Sequence, residues 1–313
     1  MGLNRTSSFK NPFAIPPWIV APNGGRLLYV CSLGVQNGVQ DDIASNLYPT
    51  INAAMAACVA NRGDVVVCLP GHVETVTTTP TFVAGVTIVG VGTGDERPTF
   101  TWTATTSQWA INVANVRVIN CILNLAGTAA TATVKAIVVT GASSRISGCR
   151  IIVGAAGGTQ VATIGIEYGT GSDKFIFGAD RDLSEGSNVV YAPADAACVS
   201  CIKIVAAVDN GIIACNTMNV GMSANGVGLV TMTVAPTNIY IARNSFANTK
   251  SGSTAALVAI AAATGYVEFN SGYIQAATGG ATAFSTLGNL QLTENYGTAG
   301  AAKTGILIGT ASS

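Results

Sequence analysis

Short apolar segments that end at Gly or Asn recur along most of the 313-residue chain at a nearly constant spacing. Each segment alternates apolar with small or polar residues, a pattern typical of a β-strand. The segments end at Gly90, Asn120, Gly148, Asn216, Asn244, Asn270 and Asn295. The spacing between successive ends is interrupted once, by a long interval between Gly148 and Asn216. A strand repeat with so regular a period predicts a solenoid, in which each coil stacks on the one before.

The residue types of the repeat favour a parallel β-solenoid. Alternate side chains of each strand point into the coil, where Val, Ile, Ala and Cys can pack. Gly and Asn accommodate the left-handed bends between sheets. Stacked Asn side chains can also hydrogen-bond to one another along the axis. We therefore expect an all-β, single-stranded parallel β-helix over residues 85–313.

A different pattern precedes the repeat, over residues 26–84. Thr50 is a candidate N-cap for a helix over residues 51–60, with an apolar strand on each side of it. One face of this helix is apolar and consists of Ile51, Met55, Cys58 and Val59. Gly63 stands just past the predicted end. We expect the helix to cap the open sheet edge at the start of the solenoid.

The segment 1–25 reads as an extended arm, because it contains too many Pro for a helix and large apolar side chains with no local core. Such an arm either wraps its own domain or docks on a neighbouring molecule. The second interpretation is favoured, as an assembly contact. Its candidate anchors are Phe13, Ile15, Trp18 and Ile19.

The long interval between Gly148 and Asn216 contains the most charged stretch of the chain, near residues 169–193. The interval has room for one or two coils, and we expect its charged stretch to leave the solenoid as a loop. Asp180, Asp182 and Ser184 have the spacing of the first ligands in an EF-hand loop, but Tyr191 occupies the position of the terminal Glu. We therefore predict solvated or subunit-bridging charges there and no metal site.

Sparse charge restricts the classes of partner. The chain has 15 basic and 15 acidic residues, and charged residues make up 10% of it, against about 25% in ordinary soluble domains. It lacks the basic surface that nucleic acid requires. No run reaches the roughly 18 apolar residues of a membrane-spanning helix. Because so neutral a surface favours association, we expect much of it to be buried against other chains.

The eight cysteines are spread through apolar segments, so we expect most of them to be buried thiols, with assembly-dependent disulfides as the alternative. Cys198 and Cys201 form a single CxxC with no second pair. The only histidine, His72, is distant from them in sequence. Four ligands for zinc are therefore not available around this motif.

Candidates for catalysis are few. The acidic residues of the repeat do not recur at one position of the coil, so the sequence does not pair two carboxylates as a glycosidase requires. We expect His72 to be hydrogen-bonded within the cap region. Trp102 and Trp109 could form a shallow sugar-binding platform, although packing within a trimer is the favoured interpretation. We expect no catalytic residues and no cofactor.

Five motifs follow one another near the N-terminus: Thr50-Ile51-Asn52-Ala53-Ala54, Gly63-Asp64-Val65-Val66-Val67, Pro70-Gly71-His72-Val73-Glu74-Thr75, Gly85-Val86-Thr87-Ile88-Val89-Gly90 and Arg97-Pro98-Thr99-Phe100. Their order resembles the right-handed parallel β-helix proteins of tailed bacteriophages, which include tailspikes and capsid decoration proteins. The detailed match covers residues 27–102, and the remainder matches only as generic coils. The resemblance implies a right-handed coil and a homotrimer.

Within this group, the short chain and its sparse acidic and aromatic residues favour a non-enzymatic capsid decoration (cement) protein that binds the major capsid protein. The alternative is a tailspike or tail fibre protein that binds or cleaves host surface polysaccharide. A bacterial surface or fibre protein of the same fold is a third alternative, which the absence of a recognisable signal peptide disfavours. The first interpretation predicts a virion protein on the outer capsid surface, assembled in the host cytoplasm.

Overall fold

The structure is a computed structural model. It describes residues 21–32, 45–126, 133–154, 162–180, 186–192, 198–222, 228–250, 256–260, 263–275, 284–285 and 289–299. The predicted arm anchors Phe13, Ile15, Trp18 and Ile19 lie outside the described residues.

Three parallel β-sheets run along the described chain. The first sheet has eleven strands, in the spatial order Leu47–Tyr48, Leu27–Val30, Val65–Cys68, Thr87–Gly90, Arg117–Ile119, Arg145–Ser147, Ile176–Gly178, Ile212–Ala214, Ile239–Ala242, Thr264–Glu268 and Asn289–Thr293. The second sheet has nine strands, Val73–Val76, Thr99–Trp102, Ile122–Asn124, Arg150–Ile152, Val189–Ala192, Thr217–Val220, Ser245–Asn248, Ser271–Ile274 and Tyr296–Ala299. The third sheet has seven strands, Trp109–Ile111, Thr133–Val139, Ala162–Tyr168, Ser200–Ile204, Gly228–Met232, Ala256–Ile260 and Phe284–Ser285.

From Thr99–Trp102 onward, each turn of the chain adds one strand to the second, third and first sheets in that order. The strands stack in parallel register, as where Thr217 pairs with Ser245 and Ser245 pairs with Ser271. This regular addition confirms the all-β parallel solenoid that the repeat predicts.

Inward side chains of the three sheets form one apolar core along the axis, which includes Leu28, Ile88 and Ile146. At the N-terminal end, the first sheet is apolar on its other face as well. Tyr29, Val67 and Val89 are buried there in a second cluster. A sheet that is buried on both faces reads as a continuous run of apolar residues, as residues 65–69 do.

The helix of the cap spans Ile51–Ala57, and short 3-10 helices span Pro22–Gly24 and Gly94–Glu96. The side chain of Thr50 accepts the N–H of Ala53, so the predicted N-cap is confirmed. The predicted end at residue 60 is wrong, because the helix stops at Ala57. Val59 instead donates its N–H to the Asp64 carboxylate at 2.8 Å, which takes the chain out of the helix.

The long interval between Gly148 and Asn216 contains two coils, the larger of the two numbers for which the sequence has room. Within the predicted insertion, Ile176–Gly178 is a strand of the first sheet and Val189–Ala192 is a strand of the second. Two segments of the predicted insertion therefore belong to the solenoid itself, although the sequence predicts a loop there. Residues 181–185 of that stretch lie outside the described residues.

Candidate functional site

An asparagine ladder fixes the corner between the first and second sheets. Its members are buried and precede successive strands of the second sheet: Asn188, Asn216, Asn244, Asn270 and Asn295. In each neighbouring pair, the side-chain oxygen of the later Asn accepts the backbone N–H of the earlier one, at 2.9–3.2 Å. The ladder thus confirms the predicted stacking of Asn along the axis.

The residue before each of the last four ladder members has a left-handed backbone. Its φ is 59° at Cys215, 55° at Arg243, 53° at Phe269 and 49° at Glu294. This conformation favours Gly and Asn, and it costs other residues about 1 kcal/mol. Arg243, Phe269 and Glu294 are exposed, so three large side chains form an outward column at a backbone position that disfavours them.

Tyrosines flank this column on both sheets. Tyr266 lies on the first sheet, and Tyr273 and Tyr296 lie on the second. The three tyrosines and Phe269 are between 43% and 51% exposed. The Arg243 guanidinium carbon lies 6.0 Å from the centre of the Phe269 ring, within range of a cation–π interaction.

We call the six residues of the column and its flanks the aromatic ridge: Arg243, Phe269, Glu294, Tyr266, Tyr273 and Tyr296. Because the ridge lies on the outside of a bend between two sheets, it is convex. Exposed tyrosines beside a cation and an anion are typical of a surface that binds another molecule.

Several ionisable groups elsewhere in the described chain are hydrogen-bonded within the fold. His72 is buried, and its Nδ1 accepts the N–H of Ser32 at 2.9 Å. The Nε2–H is therefore free to donate to Glu74, 3.2 Å away. Glu74 in turn accepts the N–H of Ile51 at the start of the helix. His72 is thus hydrogen-bonded within the cap, as predicted.

Asp64 is the most strongly held carboxylate of the cap. Burial would raise the pKa of its carboxyl, but hydrogen bonds from Arg62 and from the N–H groups of Arg26 and Val59 outweigh burial and lower the pKa to about 2. The carboxylate joins the residue before the first strand to the residues after the helix. Its contacts are structural.

Two further carboxylates pair with cations of neighbouring coils. Asp180, from the charged stretch, lies 3.1 Å from the guanidinium of the mostly buried Arg145. Glu167, which is also buried, lies 2.7 Å from the Lys135 ammonium. The Asp180 carboxylate therefore stabilises the surface of its own solenoid, a role that the sequence analysis did not assign to it.

All eight cysteines are free thiols, and six of them are buried. Hydrogen bonding to Cys198 and burial together raise the pKa of Cys201 well above its ordinary value, so this thiol is poorly nucleophilic. Burial, with a smaller contribution from Asp64, raises the pKa of Cys58 to about 11. Across the described ranges, no three His, Cys, Asp or Glu side chains are grouped so as to hold a metal ion.

Trp102 and Trp109 do not form a sugar-binding platform, because both are buried in the core with their ring centres 5.3 Å apart. Trp102 donates its indole N–H to the carbonyl of Ala136. They pack inside their own coil, so the interpretation of packing within a trimer is wrong as well. The alternation of Thr99 and Thr101 with the aromatic residues of that strand could have indicated this burial.

The repeat pattern does not predict the aromatic ridge. The only available signal was a large residue directly before each repeated Asn, at Arg243, Phe269 and Glu294, where Gly or Asn would be expected at a bend. The strands hold these residues on one corner although a full coil of chain separates each from the next.

No protein-family model, curated protein or solved structure matches this chain. In the part of the chain that the structure describes, no helix has the length and apolar character needed to cross a membrane.

Proposed function

We propose that the chain is a non-enzymatic structural protein of a bacteriophage virion. It forms a right-handed parallel β-helix, assembles as a homotrimer and decorates the outer head by binding the major capsid protein. One observation carries this proposal: the ionisable groups best placed for chemistry are bound into the fold. His72, Asp64 and Asp180 each hold a partner from another segment of the solenoid.

The architecture supports such a role. Three sheets with continuous parallel pairing make a rigid rod, and the asparagine ladder locks one corner of it. Decoration would bury apolar area at the contact with the capsid, with Phe13, Ile15, Trp18 and Ile19 as anchors. A protein that binds only the assembled lattice stabilises that lattice.

The test is to incubate purified protein with undecorated heads of the phage that encodes it and to image the heads by electron microscopy. Full-length protein should coat the heads, whereas a variant with Ser at the four anchor positions should not. A matched control carries Ala at three polar positions of the same arm, Thr6, Ser7 and Ser8, and should coat normally. Density on the tail, with bare heads, would contradict the proposal.

The aromatic ridge favours a second candidate function, a tailspike or tail fibre protein that binds host surface polysaccharide. Exposed rings such as Tyr266 and Tyr273 can stack on sugar faces, while Arg243 and Glu294 can bond to hydroxyl or charged groups. Depolymerisation of host polysaccharide, or glycan binding that is lost in Tyr273→Ala, would favour this candidate over decoration.

A further inference from the structure

We propose that the aromatic ridge is a contact between two copies of this chain, which run antiparallel about a two-fold axis that passes beside Phe269. The first argument is that the ridge is exposed and has the residue types of a protein interface. Its tyrosines, Phe269 and Arg243 are residue types that are enriched at protein interfaces. Because the ridge is convex, it does not enclose a small molecule as a cleft would.

The backbone provides a second argument. At the same corner position, earlier coils have Asn120 and Gly148, which suit a left-handed backbone. The last coils have Arg243, Phe269 and Glu294 there instead, and these residues are strained in that conformation. Residues with a strained backbone conformation are typical of functional positions, where the side chain is needed although the conformation costs free energy.

The order of charges along the column identifies the partner. Read along the axis, the column is cation, aromatic ring, anion, at one residue per coil and therefore about 4.8 Å per step. If a second copy of the column runs in the opposite direction, each charge of one column faces the opposite charge of the other. Two antiparallel columns place Arg243 of each copy beside Glu294 of the other, with Phe269 against Phe269. A parallel arrangement of the columns would instead bring like charges together.

The coil at the centre of the ridge fits a self-contact as well. Tyr266, Phe269 and Tyr273 lie on this one coil, so all three rings come close to the proposed axis. Glu268 of the same coil is only half-buried, but it accepts the hydroxyl of Tyr240 at 2.6 Å. The exposed charges of the ridge are therefore Arg243 and Glu294, and they are opposite in sign.

This inference does not rest on the proposed function. The two-fold contact is antiparallel, so it differs from any three-fold contact between parallel subunits. Head coating and self-association are measured separately, and either can fail while the other holds.

A charge swap tests the contact. Sedimentation of the full chain over a range of concentrations should show that the assembly doubles in mass, and Arg243→Glu or Glu294→Arg should weaken that doubling roughly tenfold or more. The double variant Arg243→Glu/Glu294→Arg should restore it to within about threefold of the original, because the swapped charges are again complementary. Lys174→Glu is the matched control, since Lys174 is an exposed cation at another left-handed corner.

A cross-link gives an independent readout. In Phe269→Cys, oxidation by glutathione disulfide should join residue 269 of two copies: two thiols lose their protons to form one S–S bond, and glutathione disulfide is reduced to two thiols. The unchanged protein and Tyr191→Cys, at an exposed tyrosine of the second sheet away from the ridge, are the controls. Thermal melts establish that each variant is folded. An unchanged protein that never doubles, single reversals with no effect, or a double variant that is not restored would each overturn the proposal.

Discussion

The first coils of this solenoid bury large aromatic side chains in the core, whereas the last coils expose several of theirs. In the coils before residue 112, Phe100, Trp102 and Trp109 are buried in the core. In the coils after residue 263, Tyr266 and Tyr273 are exposed on the outer faces. The first region therefore uses large side chains for stability, whereas the last region presents them to solvent.

The residues at the corner between the first and second sheets also differ between the early and the late coils. Asn244, Asn270 and Asn295 of the later coils hydrogen-bond to one another, but Cys121 and Cys149 occupy the equivalent positions of earlier coils. A hydrogen-bonded amide ladder compensates for a core with fewer large rings, because each buried amide is satisfied by its neighbours. The comparison teaches that one coil geometry can be stabilised by packing or by a polar ladder.

The largest expected effect is in the core of the first region. Trp102→Ala should destabilise the protein by about 3–5 kcal/mol, because it leaves a cavity and removes an indole hydrogen bond. Tyr273→Ala, at an exposed ring, should change stability by no more than about 0.5 kcal/mol. Denaturant unfolding followed by circular dichroism measures both. Equal losses would remove the distinction between the two regions.

The second-largest loss of stability is expected at the asparagine ladder. Asn244→Ala removes the oxygen that accepts two N–H groups of Asn216 and the amide that donates to Ile213. Buried partners are left unsatisfied, so we expect a loss of about 2–4 kcal/mol. Asn219→Ala, at an exposed Asn of the strand Thr217–Val220, is the matched control and should cost less than about 0.5 kcal/mol. A mild loss in Asn244→Ala would mean that packing alone stabilises the later coils.

The stability that Asp64 gives to the cap should be lost in acid. Because the pKa of Asp64 is lowered to about 2 in the folded state, from about 3.9 when unfolded, its stabilisation is complete above the unfolded pKa. It is lost as pH falls toward 2. Asp64→Asn should cost about 1–3 kcal/mol at neutral pH and should flatten this part of the stability profile. Thermal unfolding between pH 7 and pH 2 measures this, and parallel curves for the two proteins would contradict the assignment.

The smallest effect concerns the strained corner. Phe269→Asn should stabilise the protein by about 0.5–1 kcal/mol, because Asn tolerates the left-handed backbone, while it weakens the proposed self-contact. At the corresponding unstrained corner, Gly148→Ala should destabilise the protein by about 1 kcal/mol. Unfolding and sedimentation of the same two variants check both parts. Destabilisation by Phe269→Asn would show that the ring serves folding.

The parallel solenoid could be predicted because both of its signals are local. Alternation identifies a strand, and a constant coil length returns Asn244, Asn270 and Asn295 to one column. The strand Ile176–Gly178 is not predicted, although it ends at a Gly as the strands before Gly90 and Gly148 do, because it is short and lies in the most charged stretch of the chain. The charges of that stretch also resembled a loop, although Asp180 is bound to Arg145.

The candidate site is not evident from the sequence, because the coil constrains outward side chains less tightly than inward ones. Asn120 and Gly148 mark the left-handed corner, whereas the later Asn residues mark the next position along the chain. Because the repeated Asn of the later coils lies one position after the left-handed corner, aligning the coils by their Gly and Asn residues does not bring Arg243 and Phe269 into one column with Asn120 and Gly148. Burial of Trp102 depends on the direction of its strand, which the repeat spacing does not determine.

The most direct test of the account is a reconstruction by electron microscopy of undecorated heads incubated with the full-length protein. The account predicts a rod-shaped density of stacked coils on the outer head, with the end near the helix Ile51–Ala57 toward the capsid and the aromatic ridge away from it. Heads that stay bare at saturating protein, or density confined to the tail, would contradict it.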